Sequence, residues 1–315
     1  MKVLITGGAG FIGSHLVRRS LAIGAEVAVL DDLSTGRRAN LEEVAADVEF
    51  FEGDVRIPSD IERAVRGCDA VLHQAALPSV PRSIADPASS HAVNATGTLN
   101  VLIAARDAGV GRLVFASSSS VYGATPGLPK KEEMATLPLS PYAIAKCAAE
   151  SYCRSFFDLY GLQTVALRYF NVFGPRQDPL SEYAAVVPRF IAAFRASAPP
   201  TIYGDGGQSR DFTYVENVVD ANMAALESLA APGNVYNIAC GERITLNQLA
   251  SGLRDQLGVD LDAIHVPARP GEVRHSLADV SRAREDLGYD ARIGLAEGLR
   301  RTVDHFSAEP VAVPA

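Results

Sequence analysis

The chain opens with a short apolar strand, Val3 to Ile5, that runs into glycines spaced three apart, Gly7, Gly10 and Gly13. A helical pattern follows at once. No other stretch restricts the possible fold so strongly. A glycine turn alone also describes a hairpin. Here the context decides, because Leu16, Val17, Leu21 and Ile23 supply the apolar face of a helix directly after the turn. Gly7 permits a tight turn. Gly10 has no side chain to block a dinucleotide pyrophosphate, and Gly13 lets the helix pack close to the strand. The helix N-terminus then faces the phosphates. A second strand, Glu26 to Leu30, ends in Asp31 and Asp32, about where an acid that binds a ribose is expected, ~20 residues on. The pattern predicts a dinucleotide site.

Strand and helix patterns continue to alternate. Val48 to Phe51, Ala70 to His73, Leu113 to Ala116 and Val165 to Arg168 read as buried strands. Helices are expected near 59–66, 91–108 and 141–160. This alternation predicts an α/β fold, a Rossmann-type doubly wound parallel sheet with helices on both faces. After Phe173 the texture changes. Gly174-Pro175, Pro179, Pro199-Pro200 and Gly204 to Gly207 mark loops around a helix near 185–196. Further helices near 218–229 and 246–257 flank one strand, Val235 to Ile238. The expected division is a dinucleotide-binding domain over 1–172 and a smaller C-terminal lobe over 173–315. Segments near 210–240 are expected to return to the sheet.

Bulk properties narrow the function. The 315 residues are 48% hydrophobic, enough for a large core, and 37 acidic against 29 basic residues give a net charge of -8. That balance argues against a nucleic-acid surface or a basic membrane-binding face. The N-terminus is itself the first strand, so no signal peptide is expected, and no apolar run is long enough to span a bilayer. Cys68, Cys147, Cys153 and Cys240 lack metal-ligand spacing. A cytoplasmic protein with incidental thiols and no metal is the expectation. The tail from about Ala308 is expected to fray.

Tyr142 and Lys146 lie four apart at the start of the helix expected after Ser140-Pro141, so phenol and ammonium share a face. A nearby Lys⁺ and a positively charged nicotinamide are expected to lower the phenol's pKa, making it a general base near neutral pH. Such pairs also occur by chance on helix surfaces. What lifts this one is the strand Leu113 to Ala116, which ends in Ser117-Ser118-Ser119-Ser120-Val121-Tyr122-Gly123. Ligands bind at the carboxyl ends of parallel strands.

Together these motifs resemble the extended short-chain dehydrogenase/reductase family, and within it the bacterial UDP-sugar 4-epimerases, over nearly the whole chain. His73–Ser83, Arg168–Gly174, Gly204–Phe212 and Arg269–Asp279 resemble family loops. The resemblance implies bound NAD and an isomerase acting on a UDP-sugar. It makes Ser118, Tyr142 and Lys146 catalytic. It assigns Gly7, Gly10, Phe11, Ile12 and Gly13 to the cofactor, with Asp31 on the adenosine ribose and Asp54 near the adenine. Asp32, Ser34, Thr35, Gly36, Val55, Ala75, Tyr142, Lys146 and Tyr169 complete the implied cofactor set. On the substrate side it implies Asn171 and Arg210 at the diphosphate, and Arg269 and Glu272 at the diphosphate and uridine ribose. Pro78, Arg82, Ser118, Ser119, Ser120, Ala185, Val186 and Tyr203 are the other implied substrate contacts. Ser276 takes the gatekeeper place opposite the sugar C2 substituent, where a small residue leaves room for an N-acetyl group.

Ser118-Ser119-Ser120 carries no carboxylate, which argues against dehydration and, less strongly, against decarboxylation. Asp31 and Asp32 would repel a 2′-phosphate and favour NAD over NADP; Arg37 and Arg38 read as solvated. The leading expectation is UDP-hexose 4-epimerisation through a transient 4-keto sugar, on glucose/galactose or their N-acetylated forms. UDP-glucuronate 4-epimerisation or decarboxylation is the enzymatic alternative. A catalytically inactive NAD- and UDP-sugar-binding redox sensor is the alternative of another class. Resemblance also implies a homodimer through the helices near 91–108 and 141–160.

Overall fold

Seven strands form one parallel sheet: β1 (Lys2–Thr6), β2 (Glu26–Asp31), β3 (Val48–Glu52), β4 (Ala70–His73), β5 (Arg112–Ser118), β6 (Gln163–Tyr169) and β7 (Val235–Ile238). The computed structural model describes residues 1–179, 184–268 and 273–308. The spatial order is β7-β6-β5-β4-β1-β2-β3, and every neighbouring pair runs parallel. Side chains alternate between faces along a strand. Val3, Ile5, Val27, Val29 and Val114 therefore pack under one helical layer, with Leu16, Val17, Val218 and Val219. Leu4, Ala28, Leu30, Val71 and Phe115 pack under the other, with Ile61, Leu102 and Phe156. A strand buried on both faces must be apolar throughout, which is why these segments read as continuous hydrophobic runs.

Strand order reverses between β1 and β4. Their connections leave in opposite directions and open a crevice at the strands' carboxyl ends. A third apolar cluster, Phe173, Phe190, Phe194, Leu249, Leu253, Leu299 and Phe306, forms the core of the smaller lobe. It is built from the helices Val186–Arg195, Leu246–Leu257 and Leu295–Ala308.

Several expected elements differ in detail. The helix expected over 91–108 is three pieces: Pro87–His91, a π-helical turn Ala92–Gly97, and Thr98–Asp107. Asp86 caps the first piece by accepting from the Ser89 N–H. Helix Pro141–Tyr160 matches its expected limits because its ends carry strong signals. The Ser140 hydroxyl caps the start, Pro141 opens the first turn, and Gly161 adopts the left-handed conformation that ends it. The 3₁₀ segment Arg38–Asp47 and the helices Val80–Ala85, Ser281–Leu287 and Leu295–Ala308 carried no strong sequence signal. The expectation of a frayed tail falls on residues 309–315, outside the described residues. Among the described residues no helix is long and apolar enough to cross a membrane.

Candidate active site

A cleft of about 940 Å³ opens along the carboxyl ends of the central strands. One end is the glycine turn. Gly7 has φ +69°, and a Cβ there would come within 2.7 Å of the Ala75 nitrogen. A Cβ on Gly13 would lie 2.1 Å from the Gly7 carbonyl oxygen, so Gly13 lets helix α1 (Phe11–Ala22) sit on the turn itself. The sequence reading had assigned that close approach to the strand. No side chain caps α1. Its first amide groups, at Phe11, Ile12 and Gly13, lie in the cleft wall, ready for an anion.

Asp31 is buried at the end of β2. One carboxylate oxygen accepts from the Ala9 N–H and the other from the Leu33 N–H, both at 2.9 Å. Burial pushes its pKa up and these amides oppose the shift. Each oxygen keeps a further lone pair, so Asp31 can still accept a ribose hydroxyl. Asp32 turns to its own loop, accepting from the Ser34 N–H and hydroxyl. Gly36 must lack a side chain, since a Cβ would sit 2.8 Å from Asp31 Oδ1. Arg37 and Arg38 are exposed to solvent, as expected, and each also meets a carboxylate. Arg37 pairs with Asp178, and Arg38 pairs with Glu52 at 2.6 Å while stacking on Phe50.

The loop after β4 closes one wall. His73 is fully buried, and its ring bridges Thr6 Oγ1 at 2.6 Å and Thr98 Oγ1 at 3.0 Å. Thr98 Oγ1 donates to the Asn94 carbonyl, so the Thr98 hydroxyl accepts from His73 Nε2. His73 Nδ1 therefore accepts from Thr6, whose hydroxyl accepts from the Ala75 N–H. Burial pushes the imidazole down to about 3, keeping this chain neutral and directional. Asn94, on the π-helical turn, grips Leu77 at both its N–H and carbonyl. Ala75 and Pro78 are thereby set against the cleft.

The chemical end lies where β5 meets helix Pro141–Tyr160. Ser118, Tyr142 and Lys146 converge there. Lys146 is buried and donates to the Ala116 carbonyl at 2.7 Å. Its Nζ is 5.9 Å from the Tyr142 ring centroid. Burial pushes the ammonium down to about 8. The Tyr142 phenol is pushed up by burial, and a hydrogen bond with Ser118 partly offsets the shift. The expected lowering of the phenol rests on Lys146 together with a nicotinamide charge; within the protein alone, burial outweighs the lysine, whose ammonium donates to a strand carbonyl. Lowering the phenol further would fall to a positive charge placed in the cleft. Tyr169 closes the floor, its hydroxyl accepting from Asn222 at 2.8 Å and from Gln74 at 3.2 Å.

Gly7, Gly10, Phe11, Ile12, Gly13, Asp31, Asp32, Ser34, Thr35, Gly36, Val55, Ala75 and Tyr169 all line the cleft. So do Pro78, Arg82, Asn171 and Ala185. Asp54 does not; its carboxylate binds the Arg56 side chain and N–H. Ser119 and Ser120 also lie off the cleft, in the 3₁₀ turn that the Ser118 hydroxyl caps. Val186, Tyr203, Arg210 and Ser276 stand outside its lining as well. Arg210 donates to the carbonyls of Ser209 and Arg274 instead. Arg269 and Glu272 lie outside the described residues. The sequence reading missed Gln74, although it lies in the His73–Ser83 loop, and Asn40, Arg176, Gln177, Asp178 and Phe306, which reach the cleft from segments without a local motif.

These features fit a dinucleotide, with an uncapped helix start in the cleft wall, an acid at the end of β2, and glycines where side chains would collide. Residues 3–239 match the NAD dependent epimerase/dehydratase family. The chain is 40% identical to the UDP-glucose 4-epimerase of Mycolicibacterium smegmatis over 311 residues, covering 97% of this chain and 98% of that protein. It superposes on the Thermus thermophilus UDP-glucose 4-epimerase, solved with NAD, with a TM-score of 0.90 and 42% identity, covering 98% and 99% of the two chains. It superposes on the Methanobrevibacter ruminantium UDP-N-acetylglucosamine 4-epimerase, solved with UDP-N-acetylmuramic acid, with a TM-score of 0.93 and 41% identity over 98% of each chain. The chain belongs to the NAD dependent epimerase/dehydratase family, and its cofactor is NAD.

Proposed function

We propose that the protein is a UDP-hexose 4-epimerase. One observation carries the reading: Ser118, Tyr142 and Lys146 meet in the cleft that holds the dinucleotide turn, and Ser118-Ser119-Ser120 offers no carboxylate. Among the described residues, the acids lining the cleft are Asp31, Asp32 and Asp178, and Asp178 pairs with Arg37. Eliminating water across C5 and C6 needs an acid and a base there, so the dehydratase branch of the family fits less well.

NAD, held by the glycine turn, the start of α1 and Asp31, would supply the hydride acceptor and donor for C4. This chain's residues manage the proton. Tyr142 as phenolate takes the proton of the C4 hydroxyl, and Ser118 donates a hydrogen bond to the same oxygen. Lys146 stabilises the phenolate charge. After the 4-keto sugar turns over and is reduced on its other face, Tyr142 returns the proton to O4. Protons and electrons balance with no external reductant. Residues 1–172 form the NAD-binding part in this reading, and 173–315 the sugar-nucleotide lobe, with β7 completing the sheet.

Ser276, next to the Ser209–Arg210 strand through its N–H, is the proposed gatekeeper. Its small side chain leaves room for an N-acetyl group. Arg82 in the cleft wall favours a second reading, UDP-glucuronate as substrate, because a guanidinium suits a sugar carboxylate. Exposed Ile144, Tyr152 and Leu159 on helix Pro141–Tyr160, with Ile103 on helix Thr98–Asp107, suit pairing with a second copy. Four free cysteines suit a reducing cytoplasm.

The test is a product-resolved assay on UDP-glucose, UDP-N-acetylglucosamine and UDP-glucuronate. The reading expects the C4 epimer, no release of CO₂, and no net NADH. Stoichiometric NADH would make the protein a dehydrogenase, and binding without conversion would make it a sensor. Ser276→Tyr should abolish conversion of the N-acetylated sugar and spare UDP-glucose. If it spares both, another residue sets the size of the pocket.

A further inference from the structure

Behind the chemical end of the cleft lies a buried ion pair that the proton-transfer scheme does not use. Glu150 follows Lys146 by four residues on helix Pro141–Tyr160, so Tyr142, Lys146 and Glu150 share one face. Arg168 sits on β6 in register with Ser117 of β5. The guanidinium grips the carboxylate twice, Nε to Oε1 at 2.9 Å and Nη2 to Oε2 at 2.8 Å. The Ser117 hydroxyl donates to Oε1 as well. Glu150 and Arg168 are both buried. In every other ion pair among the described residues at least one partner is well exposed. Arg168 also stacks on Tyr122, whose hydroxyl donates to Asn237.

A buried pair of this kind is weak support for stability, because desolvation offsets most of the attraction. Its position is more informative. It ties the strand that ends in Ser118 to the helix that carries Tyr142 and Lys146. We propose that Glu150 and Arg168 are positioning residues for proton transfer: the pair ties the strand ending in Ser118 to the helix carrying Tyr142 and Lys146, and the Glu150 carboxylate keeps the Arg168 charge from acting on those two groups. This rests on Tyr142 and Lys146 being the proton-transfer pair.

Removing the carboxylate alone leaves Arg168⁺ unmatched near two titrating groups. The ammonium is then disfavoured and the phenolate favoured, so both titrations move to lower pH. The other groups around Lys146 stay as they are. They are His73 from β4, held neutral by burial, and Cys153 on the same helix; Glu132, whose carboxylate accepts from the Asn237 N–H, lies on the Arg168 side of the pair.

The experiment compares wild type with Glu150→Gln, Glu150→Asp and the double variant Glu150→Gln/Arg168→Met, all as the NAD-loaded enzyme. Two readouts are taken: the pH profile of kcat, and the Tyr142 phenolate absorbance as the difference from Tyr142→Phe, which needs no turnover. Glu150→Gln should shift both to lower pH by about one unit, with KM changed less than kcat. Glu150→Asp keeps the charge and should keep the profile's position while losing amplitude. The double variant removes a net-neutral pair and should return the profile toward wild type. Replacing both partners is tolerated better than removing one, so the double variant also answers if Glu150→Gln does not fold. A lowered amplitude at an unmoved pH in Glu150→Gln, or a double variant still displaced from wild type, overturns the proposal. Failure of the underlying reading is distinct, since Tyr142→Phe would then turn over normally.

Discussion

Tyr142 is the residue on which the proposed chemistry turns. Its phenol is held up by burial, hydrogen bonded to Ser118 and set over a lysine already softened to about 8. Tyr142→Phe keeps the ring and removes only the oxygen that carries the proton. Turnover should fall by about 10²–10⁴-fold while NAD binding stays near wild type, measured by kcat and by cofactor titration. A variant with near wild-type kcat would remove Tyr142 from the role. Ser118→Ala should lose less. Tyr142, Lys146 and Ser118 were legible from spacing and from the end of a strand. Asp178, Asn40 and Phe306 were not, because their place in the cleft depends on how separate segments cross rather than on any neighbour in sequence.

At the scale of elements, the glycine turn and α1 act as one unit. A methyl on Gly13 has no room against the Gly7 carbonyl, and backbone cannot rotate away as a side chain can. Gly13→Ala should destabilise the fold by about 1–3 kcal/mol and weaken NAD binding with it, read by denaturant unfolding and cofactor titration. An unchanged midpoint with full affinity would show that α1 can back away from the turn. The strands of the sheet were readable because burial on both faces demands apolar runs, and helix Pro141–Tyr160 because both ends are capped by residues with strong preferences. The 91–108 segment was misread as one helix. Its π-helical turn is tied across the fold, Asn94 to Leu77 and the following Thr98 to His73, and a helical pattern in sequence does not show such partners. The loop 269–272 carries two of the implied substrate contacts and lies outside the described residues.

Taken as a whole, the molecule buries titratable groups whose pKa values are displaced in opposite directions. Burial pushes His15 down to about 4 and His73 down to about 3, from an ordinary 6.5. The unfolded chain protonates both as pH falls through 6.5 and the folded chain does not. Their contribution is complete above that pH and is lost on acidification. Asp211 opposes them. Burial pushes it up to about 6 against the backbone amides of Ala278, Cys240 and Gly241, so acidification from 6 toward 4 favours the fold there. Two groups outweigh one, and stability should fall by roughly 2 kcal/mol between pH 7 and pH 5. Denaturant unfolding at the two pH values checks this, and His15→Gln should remove part of the loss. Equal stability at both would mean that the histidines are protonated in the fold. The account's central claim is that hydrogen leaves C4 and returns to the same carbon on its other face within one cleft. The most direct measurement is conversion of a UDP-hexose deuterated at C4, followed by NMR. The account predicts the C4 epimer with its deuterium kept at C4 and no net NADH. Loss of the label to water, or a dehydrated or decarboxylated product, would contradict it.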